Sequence, residues 1–388
     1  MNKGLPERAD VVIIGGGIIG ASVAYHLGEM GVNNVVLLEK GQAGEGSTGK
    51  CAGGIRVQFS TEVNILFSMH SMKFYESFKQ NLGVDPEFHK IGYLFLASGK
   101  KQWQTLEANA ELLRSKGNEV ELLSSGDVKA RWDFINTGDI IGGSFTPGDG
   151  YAGPNEILHG YLRNARKAGV RIIEGTEVTG IESSGTGVTG VVLKDGKRIS
   201  SSRVVNAAGP YAGRVADMTG LELPVIPLRR QLFFTDAFDR LPKEFPLIID
   251  MEHGWYVRRE GAGLLLAGPQ DRESSFNERM DFESRLWTAE RSLHRVPVLE
   301  KANIMTGWAG LYEISPDHHA IIGEFPEMRG FICANGFSGH GFMHSPAAGL
   351  AVAELIVKGR SDTLDIYPLR PSRFREDCLI NEPLTAFK

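Results

Sequence analysis

Short apolar runs alternate along the chain with glycine-rich turns and helical stretches. The first run, DVVII from Asp10 to Ile14, is β-branched and suits a strand buried on both faces. Three glycines at 15–17 break it, and Ala21 to Glu29 then has helical composition leading to Gly31 at a helix end. A second strand is expected from Asn34 to Leu38, closed by Glu39.

Further on, IGYLFLAS, QLFFTD, GWYVRRE and GLLLAGP are short aromatic or β-branched runs bounded by Gly, Pro and Asp, which predicts a mainly antiparallel sheet. Helical patterns cover Thr61 to Asn81, Gln102 to Lys116 and Pro154 to Ala168, the last preceding a strand from Arg171 to Glu174. Near the C-terminus, Ser345-Pro346 reads as an N-cap and first-turn pair opening the helix AAGLAVAELIVKG. No repeat and no low-complexity segment is visible.

The chain has 388 residues, enough for two domains, and its 42% hydrophobic and 23% charged residues are those of an ordinary globular protein. A formal charge of −5 and the lack of a dense Lys/Arg block argue against nucleic acid. Asp10 and the missing small-residue cleavage site argue against a signal peptide, and the glycine-broken first run is too short to span a membrane. Cys51, Cys333 and Cys378 show no metal or dithiol spacing, so they read as free thiols in a reducing cytoplasm. No metal site is expected.

Gly15 to Gly20 matches GxGxxG. Its first glycine permits the tight turn, the second lets a pyrophosphate approach the backbone, and the third brings helix and strand together. Glu39 falls in the window where an acid accepts hydrogen bonds from an adenosine ribose. This predicts a dinucleotide site and leaves FAD or NAD open.

The segment Glu39-Lys40 with the loop GQAGEGSTGKCAGGIR resembles the second flavin-contacting segment of the D-amino acid oxidase superfamily. Four later segments agree in order: DGYAGPNEIL, VVNAAGPYAG, GLYEISPDHHAIIG and GFSGHGFMHSPAAG. The resemblance is strongest to the β subunits of sarcosine oxidase and proline dehydrogenase complexes, and to glycine and monomeric sarcosine oxidases.

It implies an α/β fold, with a Rossmann-like FAD-binding domain in three pieces (1–86, 146–225 and 321–388) and a substrate domain (87–145 and 226–320) whose antiparallel sheet roofs the flavin. The implied cofactor residues begin with Gly15, Gly17, Ile18, Ile19 and Gly20 of the glycine turn, then Glu39 and Lys40. Ser47, Thr48, Ala52, Gly53 and Gly54 follow from the loop, and Val178, Ala208, Gly209 and Gly310 from mid-chain. Gly339, His340, Gly341, Phe342 and Met343 complete the set.

The implied reaction is hydride transfer from the carbon beside an amine to flavin, with a guanidinium pairing the substrate carboxylate. Arg56 and Arg230 are the candidate anchors, Tyr256, Trp308 and Tyr312 the candidate walls, and His340 a group beside the flavin. His318 and His319 read as structural or pocket-rim residues. Gly310 stands where monomeric sarcosine oxidases carry the cysteine that bonds FAD, so FAD is expected to be non-covalent. Met343, and a position near Leu265, replace lysines of those oxidases, which favours a dehydrogenase or a flavoprotein subunit over a self-sufficient oxidase.

No histidine for a second, covalent FMN is evident, although His159 lies near the position. Alternatives are an electron-relay FAD subunit of a hetero-oligomer, or a hydroxy-acid or glycerol-phosphate dehydrogenase using the Arg229-Arg230 and Arg258-Arg259 pairs. Expected partners are a small amino acid, an electron acceptor or partner subunit, and further copies in a homo- or hetero-oligomer.

Overall fold

The structure, a computed structural model, describes residues 4–384. Among these residues the larger sheet has nine strands and a parallel centre. Arg171–Ile173, Val35–Leu38, Val11–Ile14, Val204–Asn206 and Met328–Asn335 lie side by side in that order. Both faces are covered, which explains the unbroken apolar runs. Val11 and Ile13 feed one core, and Val12 and Ile14 feed the other.

Three helices, Ile18–Glu29, Pro154–Lys167 and Gly341–Lys358, supply residues to the first of these cores. Antiparallel strands at Val178–Ser184, Gly187–Leu193 and Arg198–Ser200 extend one edge of the sheet, and Ile321–Phe325 pairs with Met328–Asn335.

The second sheet runs Ile304–Ile314, Ile226–Thr235, Gly263–Gln270, Trp255–Glu260, Leu247–Asp250, Tyr93–Ala97, Gly142–Thr146, Glu121–Ser124. Every pairing is antiparallel except Leu247–Asp250 with Tyr93–Ala97. Period-two alternation divides its side chains. Leu94, Ile248, Val257, Leu266 and Phe233 enter a core on the outer face. Tyr93, Ile249, Tyr256, Leu265 and Leu232 lie on the opposite face, which turns toward the larger sheet.

Two expected helices differ in the structure. The stretch from Thr61 to Asn81 forms two helices, Glu62–Glu76 and Phe78–Leu82. Between them Ser77 Oγ donates to the carbonyls of Lys73 and Phe74, at 3.1 and 3.2 Å, the back-bonding by which a serine bends or ends a helix.

The C-terminal helix begins at Gly341, four residues before Ser345, so Pro346 lies inside it. Proline has no N–H to give the Phe342 carbonyl. The Tyr75 hydroxyl donates to that carbonyl instead, at 2.6 Å, and so a proline that would mark a helix start is accommodated within the helix.

Among the described residues no helix is long and apolar enough to cross a membrane. The three cysteines are free thiols.

Candidate functional site

A cavity of about 610 Å³ lies between the two sheets, bounded by the glycine turn, the 41–54 loop, the Ala207–Tyr211 turn, the glycine loop before the C-terminal helix, and the inner face of the second sheet. Its long shape brings residues from the start, middle and end of the chain to one site.

At one end, the first parallel strand stops at Ile14 and the chain turns through Gly15 at φ +113°, a conformation that side chains disfavour. A Cβ on Gly20 would stand 2.0 Å from the Gly15 carbonyl oxygen, so the third glycine of the motif is fixed by helix packing. Helix Ile18–Glu29 starts at this turn with no side-chain cap from Gly17, and Thr48 Oγ1 accepts from the Ile18 N–H at 2.9 Å. Glu39 ends the second strand, and its carboxylate accepts from the N–H groups of Gly16 and Gly41, at 2.7 and 2.8 Å. Helix-end N–H groups beside a Gly-rich turn and an acid suit a pyrophosphate and a ribose.

The other end carries basic and aromatic side chains. Arg230 lies on the strand Ile226–Thr235 directly across from Gly310, and both residues line the cavity. Its Nη2 donates to the Gly254 carbonyl, while its Nε is buried without a partner. The guanidinium lies 5.1 Å from the ring of Tyr256 and 5.8 Å from that of Tyr312.

Arg56 is 5% exposed, stacks 3.9 Å above Phe59 and donates to the Gln58 carbonyl. Burial draws its pKa down, offset by Tyr93, Glu382 and Asp149. Both ring nitrogens of His340 are buried without a partner. Burial, His344 and Arg56 hold His340 well below the usual histidine range, so it is neutral at pH 7.

Two carboxyls flank this end, Glu313 half-buried on the cavity lining and Asp149 fully buried. Burial pushes Glu313 up to about 7, although it accepts from the Gly336 N–H at 3.1 Å. Burial likewise pushes Asp149 up to about 7; its Oδ1 accepts from the Val57 N–H at 2.9 Å, fixing the backbone that follows Arg56.

Segment 271–281 bears on the edge of the cavity. Arg229 pins both ends, pairing with Asp271 at 2.9 Å and Asp281 at 2.7 Å. Between them, Glu278 pairs with Lys50 at 2.5 Å, and Phe276 stacks on Tyr211 at 4.7 Å, with Arg214 3.8 Å from the Phe276 ring.

Of the residues expected at the site, Gly15, Gly17, Ile18, Ile19, Glu39 and Lys40 line the cavity, as do Ser47, Thr48, Ala52, Gly53, Gly54 and Arg56. Ala208, Gly209, Tyr256, Gly310 and Gly339 to Met343 also line it, with Arg230 and Tyr312. Gly20 and Val178 do not. Gly20 is spent on helix packing, and Val178 packs into the outer core of the parallel sheet while its neighbour Glu177 reaches the lining. Trp308 is also off the lining, its indole donating to the Lys50 carbonyl at 3.0 Å.

His319 is buried with its Nε2 2.9 Å from Thr61 Oγ1, a structural place, and His159 is exposed on its helix. Arg229 is held by Asp271 and Asp281, Arg258 donates to the Ala52 carbonyl, and Arg259 donates to the carbonyls of Phe238, Leu241 and Pro242. Among the described residues no His/Cys/Asp/Glu cluster could hold a metal ion.

Sequence reasoning missed Tyr93, Ile249, Glu278 and Glu313 in the lining. A strand register with the inner face already known would have found Tyr93 and Ile249, and no local signal marks Glu278.

Comparison with known proteins agrees with this geometry. Residues 10–355 match the DAO family, described as FAD dependent oxidoreductase. A Xenopus laevis protein named FAD-dependent oxidoreductase domain-containing protein 1 is 34% identical, the match covering 95% of this chain and 83% of that protein. Human mitochondrial dimethylglycine dehydrogenase is 30% identical over 95% of this chain, which spans 44% of that longer protein. Among solved structures, L-proline dehydrogenase from P. horikoshii superposes with a TM-score of 0.90 at 30% identity, covering 96% of this chain and 99% of that one. Glycine oxidase from Geobacillus kaustophilus does so with a TM-score of 0.84 at 26% identity, covering 95% and 99%.

Proposed function

Because the chain belongs to the DAO family of FAD-dependent oxidoreductases, we propose that it oxidises the C–N bond of a small amino or N-methylated amino acid, such as sarcosine, proline or glycine. It acts as a dehydrogenase, or as a flavoprotein subunit that hands electrons to a partner. The observation that carries this reading is Arg230, a buried guanidinium on the cavity lining beside the rings of Tyr256 and Tyr312. A planar guanidinium fork fits a carboxylate.

The residues present fit the cofactor. Helix ends whose N-cap residues, Gly17 and His340, supply no side-chain bond, Glu39 at the end of its strand, and the orphaned nitrogens of His340 are groups that a bound dinucleotide would engage. FAD, when bound, supplies the hydride acceptor. Arg230 holds the substrate carboxylate, and Tyr256, whose pKa burial raises well above its usual value, stays protonated as a hydroxyl donor. Neutral His340 can accept a hydrogen bond without adding charge beside the Arg56 guanidinium.

FAD is held non-covalently at Gly310, which has no side chain to form a bond. Met343, at the position of a lysine in monomeric sarcosine oxidases, and Leu265, near the position of a second, are buried apolar residues, and this favours an acceptor other than oxygen. A phosphate substrate is disfavoured because Arg229, Arg258 and Arg259 are committed to other partners.

We assign FAD binding to 1–86, 146–225 and 321–388 and substrate binding to 87–145 and 226–320. The parallel strands fall in the first set and the second sheet, up to its strand end at Thr146, in the second. The free thiols support a reducing compartment such as the cytoplasm.

The test is a dye-linked assay of the purified holoprotein with sarcosine, L-proline, glycine, D-amino acids and glycerol 3-phosphate. Dye reduction with one amine, and none with glycerol 3-phosphate, is expected. Turnover of glycerol 3-phosphate alone would overturn the reading.

A further inference from the structure

The segment before the end of the described chain returns to the second sheet beside the substrate end of the cavity. Its residues alternate: Asn381 and Pro383 are exposed, while Glu382 and Leu384 are buried. This short stretch, which turns at Pro383 and Leu384, presents one polar and one apolar inward side chain, and each inward residue has a distinct seat.

Glu382 Oε1 accepts from the Ser60 N–H at 2.8 Å, and Oε2 accepts from Thr61 Oγ1 at 3.2 Å and Asn64 Nδ2 at 3.0 Å. These groups open helix Glu62–Glu76, whose N-cap Thr61 makes no side-chain cap of its own. A carboxylate from 318 residues away in sequence thus serves the helix start, and it favours the positive helix end. Upstream, the Ile380 N–H donates to Asp317, which is ion-paired with buried Arg373 at 2.8 Å.

Leu384 is fully buried in a cluster with Tyr93, Phe95, Leu247 and Ile249. By the alternation of the second sheet these side chains lie on its inner face, and Tyr93 and Ile249 line the cavity. Phe95 lies 5.3 Å from the Arg56 guanidinium. Leu384 therefore fills the space immediately beside the wall that carries Arg56, Tyr93 and Ile249.

We propose that Leu384, seated by Glu382, backs the Tyr93 and Ile249 wall of the substrate end and so sets the largest substituent the site accepts. This rests on the reading that the site takes a small amino acid carboxylate. Shortening Leu384 opens space behind that wall into which Tyr93 and Ile249 can yield, so the change appears in the size of ligand accepted. Carboxylate capture at Arg230 is untouched.

The experiment uses the full-chain holoprotein and the visible spectrum of its bound flavin, titrated with acetate, pyrrole-2-carboxylate, benzoate and 2-naphthoate. The wild type is expected to bind the small members and to discriminate against 2-naphthoate. Leu384→Ala is expected to improve 2-naphthoate affinity by about tenfold or more, the scale on which apolar pockets discriminate by one or a few methylenes, with acetate little changed.

Leu384→Met, which conserves volume, should behave as wild type, and Leu384→Val should give the same trend in a smaller step should the alanine variant lose its flavin. An unchanged size cut-off in both Leu384→Ala and Leu384→Val, in variants that retain FAD, overturns the inference while leaving the carboxylate site standing. A wild-type flavin spectrum that no carboxylate perturbs overturns the carboxylate reading and the inference with it.

Discussion

In the proposed function, Arg230 is the residue on which substrate binding turns. Its Nη2 donates to the Gly254 carbonyl, its Nε is buried without a partner, and the residue lines the cavity. Arg230→Lys keeps the charge and loses the planar fork, so KM for the amino acid should rise roughly 10- to 100-fold, the equivalent of one charge-assisted hydrogen bond, with a smaller change in kcat. Steady-state kinetics checks this. A fall in kcat at constant KM would move the anchor to Arg56.

Histidine burial sets a pH dependence of stability. Burial and the charges of Arg56 and His319 lower His344 to about 3 in the folded protein. Below an unfolded pKa near 6.5 the unfolded chain therefore binds a proton that the native state does not, and stability falls with pH. From pH 6.5 to 5 this histidine accounts for about 1.5 kcal/mol. Asp149 and Glu313, both raised to about 7, act in the opposite sense between about pH 7 and 4. Denaturant melts at both pH values should show a shallower acid loss for His344→Gln than for wild type, and equal slopes would contradict the assignment.

At the scale of elements, the C-terminal helix holds its internal proline through a tyrosine on another helix. Tyr75→Phe leaves the buried Phe342 carbonyl without its donor and should cost about 1–2 kcal/mol of stability. Pro346→Ala restores a backbone N–H, so the same tyrosine change should cost less in that background. A double-mutant cycle with no coupling would contradict this account.

Segment 271–281 yields a second prediction. Phe276→Ala combined with Glu278→Ala removes both of its grips on the 40–54 and 207–214 regions, and FAD should dissociate several-fold faster, measured as the rise of free-flavin fluorescence on dilution. An unchanged rate would show that this segment does not retain the cofactor.

The elements also show what the sequence could and could not disclose. The glycine turn, its helix and Glu39 were legible because their spacing is local and each residue has a physical reason to be there. Alternation announced the strands of the second sheet but not which face turned inward, and so Arg229 and Arg230 could not be told apart until pairing placed Arg230 opposite Gly310. The start of the C-terminal helix was misplaced because the group that compensates Pro346 is Tyr75, more than 260 residues away. Likewise Glu382 and Leu384 carry no local signal, since their roles exist only once the tail meets helix Glu62–Glu76 and the second sheet.

For the whole molecule, a parallel sheet with glycine-rich turns faces a second sheet whose inner side is aromatic and basic, and one cavity spans both. Membership in the DAO family makes the chain an FAD-dependent oxidoreductase; the proposed division of labour puts FAD along the glycine-rich turns of that cavity and the substrate under the second sheet. The central claim is that an amine bound there reduces the flavin directly. The measurement that tests it is an anaerobic titration of the flavin spectrum with sarcosine, L-proline, glycine and D-amino acids, followed by admission of air. The account predicts full bleaching of the flavin band by one of these amines, slow recovery in air and fast recovery with an electron-accepting dye. A bound flavin that none of them bleaches would contradict it.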